Sequence, residues 1–371
     1  MRAPSVTLTV QLCIDRNGRF YIFCPNTQTG VKFIVGQYQD GDLLGCGKIV
    51  YTNDDVLIVN FTHGSIHGLV RRFNKEGEIL WIGRFDFGRP VGACWQMFPG
   101  GGYLTGQTPV TVQTQSVKCC SGPADGDCSS VTGENVTYIF PDCKTCLTGT
   151  FTQSRMVEAN VARICSIEEQ EVLDCILHIT ETLKSSSQYQ GVMNIQTEPV
   201  SHLPYSFSDS FTETDLLRRD PYEEKLVEVR PSLMEGAGEG IFLKRDVRPH
   251  TVLAFYNGVR LSVEDDDDSW DKCSYRIFIN KPGDSGEDDC DILDIPEDMR
   301  TVDKYCATVA HKINHSFSPV GEFRTFLHPV HGYIKCVLAT QAIRQGQELT
   351  VDYKYPLYDC PDWYSRLWEQ I

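Results

Sequence analysis

At 371 residues the chain is long enough for two domains with cores of their own, and its 41% hydrophobic and 23% charged content is ordinary for a globular protein in water. No apolar run approaches the roughly 20 residues that a bilayer-crossing helix needs, so no membrane span is expected. The formal net charge of −16 argues against direct nucleic-acid binding, which rests on Lys and Arg neutralising phosphates, and suits a basic polypeptide partner.

From the N-terminus, residues 6–14 form a short apolar stretch that Thr7, Thr9 and Gln11 interrupt. No small-residue cleavage pattern follows it clearly, and it reads as a strand rather than a signal peptide. Three segments then line up: "GQYQDGDLLGCGKIVY" from Gly36, "VNFTHGSIHGLVRRF" from Val59 and "GRFDFGRPVGACWQMF" from Gly83. An aromatic recurs at Tyr38, Phe61 and Phe85, one glycine at Gly41, Gly64 and Gly88, and another at Gly45, Gly68 and Gly92. A fixed short period marks a stacked supersecondary unit. Each unit reads strand, turn, strand, with glycines where φ must be positive. One hairpin cannot bury its aromatics alone, whereas stacked hairpins can.

Sixteen cysteines raise the reading of a disulfide-bonded secreted protein, against which stand irregular spacing and the poor signal peptide. Cys119, Cys120, Cys128, Cys143 and Cys146 gather around a Ser/Gly/Asp-rich stretch that reads as an inserted loop. Cys143-x-x-Cys146 has metal-knuckle spacing without a second knuckle, so reduced thiols and no metal are expected there. Further on, Val172, Cys175, Ile176 and Ile179 outline a short amphipathic helix, and residues 184–220 are polar and read as a linker.

Three later segments belong together: "EGAGEGIFLKRDV" (235–247), "HKINHS" (311–316) and "GQELTVDYKY" (346–355). Singly each has a bland reading: a glycine-rich turn, an N-x-S glycosylation site, a turn with an edge strand. No phosphate-loop lysine follows the glycines, which sets a nucleoside triphosphate aside. In this order the three resemble the SET domain of protein lysine methyltransferases, over residues 222–364. The hairpin units resemble the MORN repeat, over residues 36–107. The whole resembles MORN-repeat plus SET-domain histone-lysine N-methyltransferases of the "SET seven" type, with "DPYE", "AGEG", "FYNGVR", "KYCA", "NHSF", "IKC" and "WY" in the expected order.

The resemblance implies a mostly β fold. Residues 1–165 would form MORN-like stacked β-hairpins with the Cys-rich loop inserted, and 166–221 a linker with a short helix. Residues 222–371 would form a knotted β-rich SET methyltransferase domain with short helices and a C-terminal segment. It implies methyl transfer from S-adenosylmethionine to a lysine in a basic peptide, the histone H3 tail and other proteins among the substrates. That chemistry needs an apolar aromatic channel that makes lysine shed its proton and aligns it. By family pattern Tyr353 is the catalytic hydroxyl, Tyr256 and Tyr355 line the lysine channel, and Ala237, Gly238 and Glu239 hold the cofactor's methionine end. Asn314 and His315 hold its amino and adenine groups, Trp363 covers the adenine, and Asp266 and Lys335 flank the peptide. Phe323 stands where relatives that stop at one methyl carry tyrosine, which implies methylation beyond the first. Pro319-Val320 replaces the family's Pro-Asn, Leu367 stands where a second cofactor contact is expected, and Cys360 alone remains of the post-domain cysteines, so no structural zinc is expected. A monomer in nucleus and cytoplasm follows from the resemblance. The alternative is a MORN/SET scaffold that binds peptide or cofactor without turnover.

Overall fold

In the computed structural model the described residues are 11–14, 20–23, 31–40, 42–77, 79–98, 101–107, 133–142, 144–152, 155–164, 197–199, 205–206, 215–261, 274–279, 291–358 and 360–369. The expected helix at 167–183, Asp266 and Cys143 lie outside them. Strands dominate. The first sheet holds β1 (Gln11–Ile14), β2 (Phe20–Phe23), β3 (Val31–Gln39), β4 (Asp42–Tyr51), β5 (Val56–Thr62), β6 (Ser65–Ile66), β7 (Gly68–Phe73), β8 (Ile79–Asp86), β9 (Arg89–Met97), β10 (Tyr103–Gln107), β11 (Gly133–Ile139), β12 (Thr145–Thr152), β13 (Arg155–Ile164), β14 (Thr197–Pro199) and β15 (Tyr205–Ser206). Its strands pair antiparallel with their sequence neighbours almost throughout, so the sheet grows hairpin by hairpin.

The turns bear out the repeat. His63-Gly64 and Phe87-Gly88 have positive φ at both residues, 49° and 73° in the first and 44° and 82° in the second. That is the twist a tight hairpin demands. The repeat glycines Gly45, Gly68 and Gly92 are also left-handed. Gly47 needs its missing side chain for another reason: a Cβ there would meet the Phe61 ring at 2.5 Å. Phe61 and Phe85 are buried, as the stacking argument requires. The sheet reaches further than the repeats suggest, since β14 and β15 add to β13 from within the expected linker.

The second sheet runs β16 (Val227–Pro231), β17 (Glu239–Leu243), β25 (Glu348–Val351), β23 (Gly321–His328), β24 (Gly332–Ala339) and β18 (Val252–Tyr256), with β22 (Asn314–His315) parallel to β25. A small third sheet orders β19 (Val259–Leu261), β21 (Asp291–Asp294) and β20 (Arg276–Ile279). Among the described residues helices are few and short: α1 (Glu223–Leu226) and α2 (Asp362–Trp368), with single 3-10 turns. None of the described helices is long and apolar enough to cross a membrane.

One core joins the first and second sheets. Phe140 stacks on Tyr222 with ring centroids 5.2 Å apart and planes 6° from parallel, and Phe255 and His328 close the cluster. The amide of Met156 donates to the Pro329 carbonyl at 2.7 Å, so the last long strand of the first sheet holds the tip of the β23–β24 hairpin. Cys146 is buried with Ile82, Trp95, Ile139 and Ala162.

Candidate active site

Residues from seven separate stretches of the chain line one cavity of about 250 Å³. Ala237 and Glu239 of the glycine-rich turn form its first wall. Gly236 and Gly238 hold that turn left-handed at φ 77° and 70°. Glu348 fastens it: Oε1 accepts from the Ser232 hydroxyl at 2.7 Å and the Asn314 amide at 3.0 Å, and Oε2 accepts from the Leu233 N–H at 2.8 Å. The carboxylate fits only because Gly240 lacks a Cβ, which would collide with Glu348 Oε1. Asn314 Nδ2 also donates to the Glu239 carbonyl at 3.0 Å and the Ser232 hydroxyl at 3.2 Å, a network that leaves no amide hydrogen for a glycan.

The second wall is residues 310–314, which enter through a single 3-10 turn and then lie along β25, Asn314 opposite Thr350 and His315 opposite Val351. Lys312 Nζ sits 2.8 Å from Glu239 Oε2, an ion pair that ties the second wall to the first. A buried carboxyl group supports this wall from behind. Glu223 Oε2 accepts from the Phe255 N–H at 2.7 Å and Oε1 from the Val309 N–H at 2.9 Å, with Arg219 3.7 Å away. Asp220 Oδ1 accepts from the Tyr222 and Glu223 amides where α1 begins, and its Oδ2 lies 3.1 Å from His328 Nε2.

Aromatic side chains make the rest. Tyr256 ends β18, Phe323 lies on β23, Tyr353 and Tyr355 follow β25, and Trp363 projects from α2; all five line the cavity. Phe323 meets Tyr256 edge-on at 6.1 Å, and Tyr353 meets Tyr355 at 5.5 Å and Trp363 at 6.1 Å. The Tyr256 hydroxyl donates to the Tyr275 carbonyl and the Tyr353 hydroxyl to the Ile313 carbonyl, each at 2.6 Å. Burial pushes the Tyr355 hydroxyl up to about 12 and raises those of Tyr256 and Tyr353 above the usual tyrosine value. All three therefore stay neutral, in a site poor in solvent.

Gly238 shapes the turn between two lining residues without lining the cavity itself. His315 lies beneath the wall: its Nδ1 accepts from the Tyr353 N–H at 3.2 Å, and its ring packs on Phe317 at 4.3 Å and Tyr364 at 4.7 Å. Burial lowers its basicity, opposed by the Asp352 carboxylate 3.7 Å away. Lys335 pairs with Tyr256 across the strands and donates to the Thr325 hydroxyl at 3.1 Å, outside the cavity wall. Val320, in place of the family's Asn, is buried. Sequence reasoning missed His311, Lys312, Tyr275 and Arg276 as lining residues. The first two stand inside the quoted "HKINHS", whereas nothing in the acidic surroundings of Tyr275 marks it. Among the described residues no group of three or more His, Cys, Asp or Glu is placed to hold a metal.

Residues 85–173 match the family described as "Histone H3 K4-specific methyltransferase SET7 N-terminal", and residues 238–354 match the SET domain. A histone-lysine N-methyltransferase SETD7 of Halocynthia roretzi is 34% identical over 302 residues, covering 79% of this chain and 68% of the relative. The chain belongs to the SETD7 family of histone-lysine N-methyltransferases. It is a protein lysine methyltransferase, and its substrates are peptides or proteins. SET-domain enzymes of this kind take their methyl from S-adenosylmethionine. Among solved structures, a Plasmodium falciparum protein described as a histone methyltransferase aligns with TM-score 0.26 and 15% identity over 36% of this chain and 97% of its own. CpSET8 from Cryptosporidium aligns with TM-score 0.27 and 14% identity over 35% of this chain and 57% of its own. In this SETD7-family chain the glycine-rich turn, the Asn-His-Ser segment and the stretch after β25 converge on the cavity or brace its walls.

Proposed function

We propose that this enzyme binds S-adenosylmethionine in the cavity and methylates, more than once, a lysine in a basic segment such as the histone H3 tail. The observation that carries this reading is that one cavity has an ionic end, Lys312 with Glu239, and an aromatic end, Tyr256 with Phe323. S-adenosylmethionine, when bound, supplies an electrophilic methyl on a sulfonium. Its chemistry matches the donor set: Lys312 for a carboxylate, Asn314 Oδ1 for an amine because Nδ2 is committed to protein acceptors, and Trp363 for a flat purine. Ala237, Gly238 and Glu239 offer backbone groups to the methionine end, and His315 braces the wall on the adenine side.

Tyr256 and Tyr355 line the channel for the lysine. Buried aromatic walls disfavour an ammonium, so the amine enters neutral. Tyr353 has its proton tied to the Ile313 carbonyl, which turns its lone pairs outward as acceptors for a polarised methyl. Phe323 brings no hydroxyl, and the space permits a methylated amine to react again. The peptide adds as a strand at a sheet edge, with Asp266 and Lys335 flanking it. We place the catalytic domain at residues 222–371, acting as a monomer in nucleus and cytoplasm without nucleic-acid contact.

The test is incubation of the full chain with labelled S-adenosylmethionine and a lysine-peptide library, read by mass. Dimethyl-lysine on basic peptides is expected. Exhaustive reaction that stops at monomethyl-lysine refutes repeated transfer, and indifference to flanking basic residues refutes the substrate class.

A further inference from the structure

His328 ends β23 within the core that joins the two sheets, and its side chain has no part in the reading above. The N–H groups of Val330 and His331 both donate to its Nδ1, each at 3.2 Å, so that nitrogen presents a lone pair and the ring proton sits on Nε2. Nε2–H in turn donates to Asp220 Oδ2 at 3.1 Å. Phe255 meets the ring edge-on at 5.0 Å, and His331 stacks on it at 4.6 Å. The ring therefore has one tautomer and one orientation.

The contacts continue on both sides of it. Toward the first sheet, His328 closes the β23–β24 turn that Met156 holds at Pro329, and Arg155 packs on the same turn: a Cβ at Gly332 would meet its Nε at 2.9 Å. Arg155 and Met156 open β13. Toward the cavity, Asp220 Oδ1 accepts from the Tyr222 and Glu223 amides, each at 2.9 Å, and Glu223 accepts from the Phe255 and Val309 amides. The residues that follow those two, Tyr256 and Ala310, line the cavity. His328, Asp220 and Glu223 are all buried. A buried path of paired polar groups holds one arrangement, because moving one member strands its neighbours.

We propose that His328 is a positioning residue for methyl transfer: through Asp220 and Glu223 it sets the Tyr256 wall of the lysine channel from a hairpin tip that the first sheet anchors. This rests on the reading of the Tyr256–Phe323 end as the lysine channel. The ring has two separable duties. Nδ1 shapes the hairpin tip, and Nε2–H grips Asp220; only the second reaches the channel. The link needs two accepting oxygens at position 220. An asparagine there would spend its one oxygen on the α1 amides and turn an N–H toward Nε2–H. The other tautomer of the ring would set an N–H against the Val330 and His331 amides.

The experiment uses the full chain well below its melting temperature and a peptide that the wild type methylates. His328→Asn puts an oxygen where Nδ1 stood but does not reach Asp220. It is expected to lose more than fivefold in kcat for the first transfer, with S-adenosylmethionine affinity within twofold of wild type. His328→Gln puts an amide N–H where Nε2–H stood and recovers most of that loss, although it leaves the hairpin tip without its acceptor. Phe61→Ala, which opens a cavity in the first sheet, melts lower and keeps kcat within twofold, so loss of stability alone does not imitate the effect. In protein labelled with carbon-13 in tyrosine, the Tyr256 ring resonance moves in His328→Asn and stays near its wild-type place in the other two variants. A His328→Asn kcat within twofold of wild type, an equal loss in His328→Gln, or an unmoved Tyr256 resonance overturns the proposal. If the His328 variants do not fold, nitrogen-15 histidine spectra of the wild type decide: a proton on Nε2 of His328 supports the link, and one on Nδ1 overturns it. A wild type that methylates no lysine peptide refutes instead the lysine-channel reading, and the Tyr256 resonance still tests the link.

Discussion

The hydroxyl of Tyr353 is a buried group with its one proton engaged, at 2.6 Å from the Ile313 carbonyl. Tyr353→Phe removes one oxygen and little volume. We expect kcat to fall at least tenfold with S-adenosylmethionine affinity within twofold, the mark of an interaction made in the transition state, and a stability loss of about 1 kcal/mol from the broken hydrogen bond. Single-turnover kinetics and calorimetric binding check both. Because burial raises Tyr353, and lifts Tyr355 to about 12, neither ionises below pH 10. A kcat profile that turns down between pH 8 and 10, and loses that limb in Tyr353→Phe, contradicts this. Phe323 sets a second expectation. Phe323→Tyr puts a hydroxyl beside Tyr256 and is expected to shift the product from dimethyl- to monomethyl-lysine on one peptide, read by mass. Tyr353 and Phe323 were legible as cavity-lining residues because each stands at a fixed offset within a motif. His311 was not, although it begins the quoted "HKINHS": which side of a single 3-10 turn a ring leaves from is set by what packs behind it, here Tyr305.

Elements are held to the cavity by two acidic side chains. Glu348 gathers the glycine-rich turn, and Glu348→Gln replaces one acceptor by a donor facing a donor. A loss of about 1–3 kcal/mol in stability is expected, with weaker S-adenosylmethionine binding by calorimetry; unchanged affinity would show that the turn is ordered without it. Glu223 ties β18 to the segment at Val309. Burial raises its carboxyl from 4.5 to about 8, while the Arg219 charge and the two amides pull it back. A folded-state value above the unfolded one means that the native protein holds the extra proton. This stabilisation is whole below about pH 4.5 and is lost as the pH rises through about 8, by at most about 1.4 kcal/mol per pH unit. His311, His315 and His331, whose basicity burial lowers, add an opposite slope below about pH 6.5. The check is therefore the difference between wild type and Glu223→Gln in denaturant titrations from pH 5 to 8, which should fall with the Glu223 slope. The hairpins were readable at this scale because Gly64, Gly88 and their neighbours mark turns by backbone need alone. Strands β14 and β15 were not, since two or three polar-flanked residues carry no period and exist only because β13 offers an open edge.

For the whole molecule the decisive contact is Phe140 on Tyr222, where the first sheet meets the residues that lead into α1 and the second sheet. The sequence marks a change of pattern between the two, and pattern says nothing about whether two regions share a core. Phe140→Ala opens a cavity in that shared core and is expected to cost about 3–5 kcal/mol. If the two regions melt as one unit, scanning calorimetry shows a single transition that moves down in the variant, and methyl transfer disappears along it. Two separate transitions, with transfer tracking only the upper, would show independent units.

The bond from Met156 to Pro329 gives the repeats a mechanical meaning. The hairpin it fastens carries Phe323 and Lys335, so the sheet is bonded directly to an element of the cavity wall. Whatever grasps the distal hairpins thus holds the enzyme as a handle holds a blade. It sets the angle at which the cavity is presented to a peptide or protein substrate and leaves the edge itself unchanged.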